Sequence, residues 1–236
     1  MALDEPRNLD GHRPRRWRLP AALALPVAAG AAGAFGLHSL PLTFLLYGAG
    51  CCVLAPWLLL GARPFGARGG LPFAPVARRG WRAEALLGLA FGPAFLAAYL
   101  AARPWLGAIT DYRSRVAALG VDLHDPALVL AAFVALNPLL EEWWWRGHAT
   151  PRCVETFGRR RGLALVTAAF AAYHLVLLGA LFPWSVLLVR VGLIAAASLL
   201  WSHLALSRGG WRAPYVAHLA ADAAMAVLFV RVVLPG

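Results

Sequence analysis

The sequence predicts an all-α protein, a polytopic transmembrane helical bundle with about seven spans. Three observations predict this fold class: apolar runs of about 20 residues, a charged fraction of only 14%, and no period-two alternation of polar and apolar residues. A soluble domain would carry about 25% charged residues. The low charge therefore excludes an ordinary soluble enzyme, and the long apolar runs exclude a membrane β-barrel.

The apolar runs recur along the whole chain and are separated by linkers rich in arginine, glycine and proline. The predicted spans are 19–37, 39–61, 84–102, 126–146, 162–181, 185–206 and 212–233. We divide the chain into a cytoplasmic basic tail (1–18), an amino-terminal group of transmembrane helices with their linkers (19–125) and a carboxyl-terminal core (126–236). Between the third and fourth spans, helical spacing of apolar residues over 109–119 predicts a short interfacial helix.

The arginines predict the orientation in the membrane. All 22 lysine-or-arginine positions are arginine, and seventeen lie in the tail or around the linkers that follow spans two, four and six, against four on the opposite side. The positive-inside rule then places the amino terminus in the cytoplasm and the carboxyl terminus outside a plasma membrane. Anionic membrane lipids account for the net charge of +11, so we expect no nucleic-acid partner.

Three carboxyl-terminal spans carry polar side chains, and each charged residue inside a membrane costs about 2.5–3.5 kcal/mol on insertion scales. They are Glu141, Glu142 and Arg146 in span four, His174 in span five, and His218 and Asp222 in span seven. At a rise of about 1.5 Å per residue, these side chains lie at similar depths, about 8–18 Å from the predicted inner ends of their spans. We therefore expect one shared site that opens to the cytoplasm.

The spacing of these side chains predicts how they pair. Glu142 and Arg146 are four residues apart, and we interpret them as an ion pair that orients span four. His218 and Asp222 have the same spacing in span seven. Glu141 points about 100° away from Glu142, towards the other spans. A carboxylate near imidazoles can activate water, directly or through a metal, and imidazole can donate to an oxyanion.

The candidate metal ligands are drawn from the same side chains. Glu141, His174, His218 and Asp222 offer two imidazoles and carboxylates, a set that can hold Zn²⁺ with one open position. The chain has no HExxH motif, so zinc is not indicated by a zincin pattern. The residues leave open whether water is activated with a metal or without one.

Three motifs occur in order: Glu-Glu-x-x-x-Arg at 141–146, Phe-x-x-x-His at 170–174 and His-x-x-x-Asp at 218–222. Together they resemble the CPBP family of intramembrane proteases, which includes the type II CAAX prenyl endopeptidases and bacterial Abi-type proteins. The resemblance covers about 126–233 and implies peptide-bond hydrolysis within or beside the membrane. The family is named a metalloprotease family, which keeps zinc among the expectations.

The resemblance also implies roles for individual residues. Glu141 matches the water-activating glutamate of the family, and His174 and His218 match the histidines of its second and third motifs. Asp222 lies where the family carries Asn or Asp. Because an ionised Asp cannot donate to an oxyanion, Asp222 would orient His218, ligate a metal or stay protonated.

Three classes of function remain open from the sequence. The favoured one is an endopeptidase that acts on a membrane-associated peptide or a prenylated or otherwise lipidated protein. Here Glu141 takes a proton from water that His174 positions, and His218 donates to the oxyanion while Asp222 holds its ring. The alternative is a non-catalytic protein with the same scaffold, used in bacteriocin immunity, sorting or peptide binding. An ion-coupled transporter would also use buried carboxylates and histidines, but paired interrupted helices are not evident.

The aromatic run at 143–145 follows the two glutamates directly. Tryptophans concentrate where a membrane meets water, because their rings are amphipathic. We therefore expect these three residues in an aromatic belt at the inner membrane surface.

Overall fold

A computed structural model describes residues 17–61, 81–102 and 110–233, and within these ranges all regular secondary structure is helical, with no strand. The basic tail lies almost wholly outside the described residues. The α-helices are α1 Arg18–Ala31, α2 Leu40–Leu45, α3 Ala55–Leu60, α4 Trp81–Ala102, α5 Thr110–Ala118, α6 Ala127–Trp144, α7 Thr150–Phe157, α8 Arg159–Gly179, α9 Trp184–Arg208 and α10 Arg212–Leu228. π-Helical segments continue several of them, at Ala32–Gly36, Leu46–Leu54, Trp145–Ala149 and Phe229–Val233.

Six helical stretches in the described part of the chain are long and apolar enough to cross a membrane. They are Arg18–Gly36, Leu40–Leu60, Ala127–Phe157, Arg159–Gly179, Trp184–Arg208 and Arg212–Arg231. The predicted span 84–102 corresponds to α4, which contains a shorter apolar helix at Leu89–Ala101. The predicted multi-pass helical membrane protein is thus confirmed, and six spans together with α4 agree with about seven.

The fourth span is longer than the predicted 126–146. α6 runs through the π-helical segment into α7, which gives 31 continuous residues from Ala127 to Phe157. Pro151 does not interrupt this helix because it closely follows the π-helical turn Trp145–Ala149, where the regular α-helical hydrogen-bond pattern is already altered. The helix ends at Gly158, whose φ of 77° is a conformation that glycine adopts readily.

The turn at Gly158 brings α8 back against α7. A Cβ atom at Gly162 would lie 2.6 Å from the backbone of Cys153, so only glycine permits this approach. α8 also packs against α1 and α9, while α10 packs against α4, α6 and α9. The faces of α6, α8 and α10 that carry predicted polar residues are therefore turned towards one interior.

The three tryptophans lie inside this bundle and not in an aromatic belt, so that prediction is wrong. Trp143, Trp144 and Trp145 are only 5%, 0% and 0% exposed and belong to the main cluster of buried residues. The reason is the length of the fourth span. Because the helix continues to Phe157, the tryptophans lie within the bundle and not at its end.

The helix expected between the third and fourth spans is α5. Its Val116 is buried, together with Leu119 just beyond the helix, in a small cluster with Leu181. Tyr112 of the same helix stacks on Phe182 with ring centroids 4.9 Å apart. Burial raises the pKa of Tyr112 to about 12, so its hydroxyl is neutral at ordinary pH.

Candidate active site

The first feature of the site is a buried ion pair, which we call the arginine cluster (Glu142, Arg146 and Ser198). Arg146 Nη1 donates to Glu142 Oε1 at 3.0 Å, and both side chains are 0% exposed. Arg146 Nη2 donates to the hydroxyl of Ser198 at 3.0 Å and to its backbone carbonyl at 3.3 Å. The predicted pairing within span four is therefore present, and it also reaches α9.

Two aromatic rings complete the surroundings of the guanidinium. The Arg146 Cζ atom lies 4.6 Å from the ring centroid of Phe170 on α8 and 5.2 Å from that of Trp201 on α9. Cation–π contacts of this kind contribute most where the cation is removed from water. Arg146 thus connects three helices, which a side chain serving only as a loop charge would not do.

His218 lies between the two glutamates of α6. Its Nδ1 is 2.8 Å from Glu142 Oε1, and its Nε2 is 3.9 Å from Glu141 Oε2. Neighbouring residues on a helix point about 100° apart, so the two carboxylates reach different parts of the ring. Each carboxylate faces one ring nitrogen. The ring also stacks on Trp201, with centroids 4.3 Å apart and an interplanar angle of 20°.

These contacts correct the expected role of Asp222. Asp222 Oδ1 lies 3.5 Å from His218 Nε2, as the spacing of four residues predicted. The closer partner of the ring, however, is Glu142 on Nδ1. Because a carboxylate can only accept, Nδ1 carries a proton, and Glu142 with Trp201 fixes the ring. Glu142 was expected to act only as the partner of Arg146.

Asp222 has a second neighbour that sequence reasoning missed. Asn137 Nδ2 donates to Asp222 Oδ2 at 3.2 Å. Asn137 lies four residues before Glu141 in α6, so both side chains project from the same face of that helix. This spacing of four residues could have indicated Asn137 as a site residue. A single Asn before a proline does not indicate a site by itself.

Glu141 is 1% exposed, and its Oε2 has no hydrogen-bond partner among the described residues. The hydroxyl of Tyr47, from the second span, lies beside this carboxylate. Trp145 Nε1 donates to the Tyr47 oxygen at 2.8 Å, which leaves the hydroxyl proton free to face Glu141. Tyr47 stacks on Tyr173 with centroids 4.0 Å apart. The sequence did not indicate Tyr47, because a single tyrosine in an apolar run forms no motif.

His174 is half-buried in α8, and its Nδ1 lies 2.8 Å from the backbone carbonyl of Phe170. A carbonyl only accepts, so Nδ1 donates, and the neutral ring presents Nε2 as an acceptor. The ring centroid of His174 is 4.3 Å from that of Phe170, and Phe170 also contacts the guanidinium of Arg146. Glu141 and His218 thus approach each other directly, whereas His174 is linked through Phe170 to the arginine cluster.

Zinc was expected on Glu141, His174, His218 and Asp222. In the part of the chain that the structure describes, no group of three or more His, Cys, Asp or Glu side chains is placed to hold a metal ion. We therefore derive no step through a metal, and zinc binding stays a prediction from the sequence.

The fold and these contacts define a multi-pass membrane protein with a carboxylate–histidine site inside its helical bundle. Residues 123–224 match the family model of the type II CAAX prenyl endopeptidase, Rce1-like. That stretch holds all three motifs and every predicted site residue, and the match confirms the resemblance to this family of CAAX-type intramembrane proteases. No curated protein and no solved structure matches the chain.

Proposed function

We propose that this protein is an intramembrane endopeptidase in which Glu141 activates the water that hydrolyses a peptide bond. One observation carries the proposal: Glu141 Oε2, buried and without a hydrogen-bond partner among the described residues, lies 3.9 Å from His218 Nε2. A water placed about 2.8 Å from each atom satisfies both at ordinary hydrogen-bond length. A peptide carbonyl beside this water would lie next to the two groups that its hydrolysis needs.

In the proposed reaction, Glu141 takes a proton from this water as the water oxygen bonds to the peptide carbonyl carbon. The carbonyl oxygen becomes an oxyanion, and His218 Nε2 donates a hydrogen bond to it. The C–N bond then breaks, the carbonyl re-forms, and Glu141 returns the proton to the leaving amine. The water hydroxyl thus ends on the acyl carbon and its proton on the amine, so the reaction needs no further reactant.

The proton on His218 Nδ1 limits how this histidine can act. Because Glu142 holds a proton on Nδ1, Nε2 is a donor only when the ring is an imidazolium. The carboxylates of Glu142 and Asp222 flank that positive charge. His174 takes a different part in the proposal: its Nε2, left as an acceptor by the Phe170 contact, positions the water.

The substrate class is proposed from a groove beside the site. This groove between α6 and α10 has a volume of about 380 Å³ and is lined by Leu130, Ala131, Val134, Ala226, Val227, Val230 and Arg231. Val134 precedes Asn137 by three residues and Ala226 follows Asp222 by four, so the groove continues along the helix faces that carry the site. An apolar groove at this place supports a substrate with a lipid chain or membrane anchor near the cleaved bond.

The orientation also remains a proposal, supported by the arginine distribution. A cytoplasmic amino terminus would let the site open to the cytoplasm, where a lipidated or membrane-anchored peptide would enter. Reporter fusions at Gly236 test this arrangement, since a cytoplasmic signal there would reverse it.

The decisive experiment is cleavage of a library of lipidated and unlipidated peptides by purified protein in liposomes. Glu141→Gln should fold and bind peptide but lose about 10²–10⁴ in rate, because an amide cannot accept the proton. Glu155→Gln, at an exposed position on α7, is the matched control and should retain the rate of the wild type.

Full activity of Glu141→Gln would reject this mechanism. Peptide binding without cleavage by the wild type would instead favour the non-catalytic scaffold. Metal analysis of the same preparation tests the zinc prediction independently.

A further inference from the structure

The hydrogen bond between Asn137 and Asp222 joins two helices within the site. These residues are 85 positions apart, and the bond is 3.2 Å long. Asp222 also lies 3.5 Å from His218 Nε2, and Asn137 shares a face of α6 with Glu141. The carboxamide therefore contacts Asp222, the neighbour of His218, and lies on the helix face that carries Glu141.

The chemistry of the pair is asymmetric. An ionised carboxylate only accepts, so the amide must turn its nitrogen towards Asp222, which fixes the orientation of the carboxamide. An amide nitrogen has two N–H donors, and Asp222 takes one of them. Among the described residues the second N–H of Asn137 has no hydrogen-bond partner, and Asn137 lies on the side of α6 that carries Glu141.

We propose that Asn137 is a further catalytic residue, which donates its second N–H to the oxyanion while Asp222 holds the amide in place. The inference rests on the proposed hydrolysis. Asp222 itself has no proton to donate when ionised, so Asn137 supplies the neutral donor that would act beside His218.

An exchange of the two side chains tests this role in the full-length protein. Asn137→Asp places two carboxylates together and removes the amide, so kcat should fall about 10²–10³-fold, as for loss of one oxyanion donor. KM should change little, because the oxyanion exists only after attack. The double variant Asn137→Asp with Asp222→Asn restores one amide and one carboxylate and should regain at least about tenfold in kcat over Asn137→Asp.

Two further variants keep the result interpretable. Asn137→Ala removes the amide without adding charge. Its melting temperature should match that of the wild type, and its kcat should still fall. Asp122→Asn, an exposed loop position, controls for loss of a carboxylate and should leave kcat unchanged.

The two proposals fail differently. A folded Asn137→Ala with wild-type kcat would overturn the role of Asn137 while Glu141→Gln remained inactive. A double variant no faster than Asn137→Asp would overturn it as well. Wild-type activity of Glu141→Gln would instead remove the proposed hydrolysis.

Discussion

Glu141 and Glu142 are adjacent in the sequence and equally buried, but their surroundings differ. Glu142 accepts from Arg146 and from His218, within the arginine cluster that Ser198 and two aromatic rings enclose. Glu141 has one oxygen without a hydrogen-bond partner in the described part of the chain, and its nearest cationic group is His218 Nε2 at 3.9 Å.

The difference teaches how one helix holds two roles in neighbouring residues. A buried carboxylate with strong partners contributes to stability, and removing a partner leaves its charge uncompensated. A buried carboxylate with fewer partners stabilises the fold less, because less of its desolvation cost is offset, but its oxygen is available to a substrate or water. Divergence by about 100° along α6 is enough to separate the two surroundings.

The largest expected effect comes from breaking the arginine cluster. Arg146→Ala should lower the free energy of unfolding by about 3–5 kcal/mol, because Glu142 loses its counter-ion while it remains buried. Chemical unfolding in detergent micelles measures this change, and reduced accumulation in the membrane should accompany it.

A neutral replacement of the whole pair provides the control. Glu142→Gln with Arg146→Met removes both charges of the pair and leaves Asp222 beside His218, so it should recover much of the lost stability. If Arg146→Ala were as stable as the wild type, Arg146 would not anchor the bundle.

An intermediate effect should separate the two glutamates directly. Glu142→Gln loses charge-assisted hydrogen bonds and should lower the free energy of unfolding by about 1.5–3 kcal/mol. Glu141→Gln should lower it by less, about 1 kcal/mol, since its Oε2 gives up no partner among the described residues and only the contact with Tyr47 changes. Equal losses in the two variants, measured by the same unfolding experiment, would show that the carboxylates share one role.

The fold was largely predictable because a membrane span needs a long apolar run, and such runs end at visible breakers. The error at the fourth span arose from treating Arg146 as a boundary charge. Partners on other helices let that charge lie inside the bundle, and the π-helical turn before Pro151 let the helix continue to Phe157.

The site was predictable only where it depends on one helix. Spacing of four residues gave the pairs in spans four and seven, because residues at that distance share a face. Contacts between helices were not predictable, since they depend on which faces meet. Ser198, Trp201 and Tyr47 are ordinary residues of apolar helices, and only packing brings them to Arg146, His218 and Glu141.

The smallest expected effect tests how much the Ser198 hydroxyl contributes to the stability of the arginine cluster. Ser198→Ala removes the hydroxyl that accepts from Arg146 Nη2 at 3.0 Å, but the backbone carbonyl at 3.3 Å and Glu142 remain. The free energy of unfolding should therefore fall by only about 1 kcal/mol. Ser202, one turn further along α9, is the matched control because it is equally buried and contacts Thr150 at 3.3 Å.

Ser202→Ala should also cost about 1 kcal/mol, so the single variants alone do not distinguish the two serines. A double-mutant cycle does. In the background of Glu142→Gln with Arg146→Met, Ser198→Ala should lose most of its effect, because the group that it accepted from is gone. Ser202→Ala should keep its full effect, since Thr150 is unchanged. An equal cost of Ser198→Ala in both backgrounds would mean that the cluster ends at Glu142 and Arg146, and that α9 is held by the aromatic contacts.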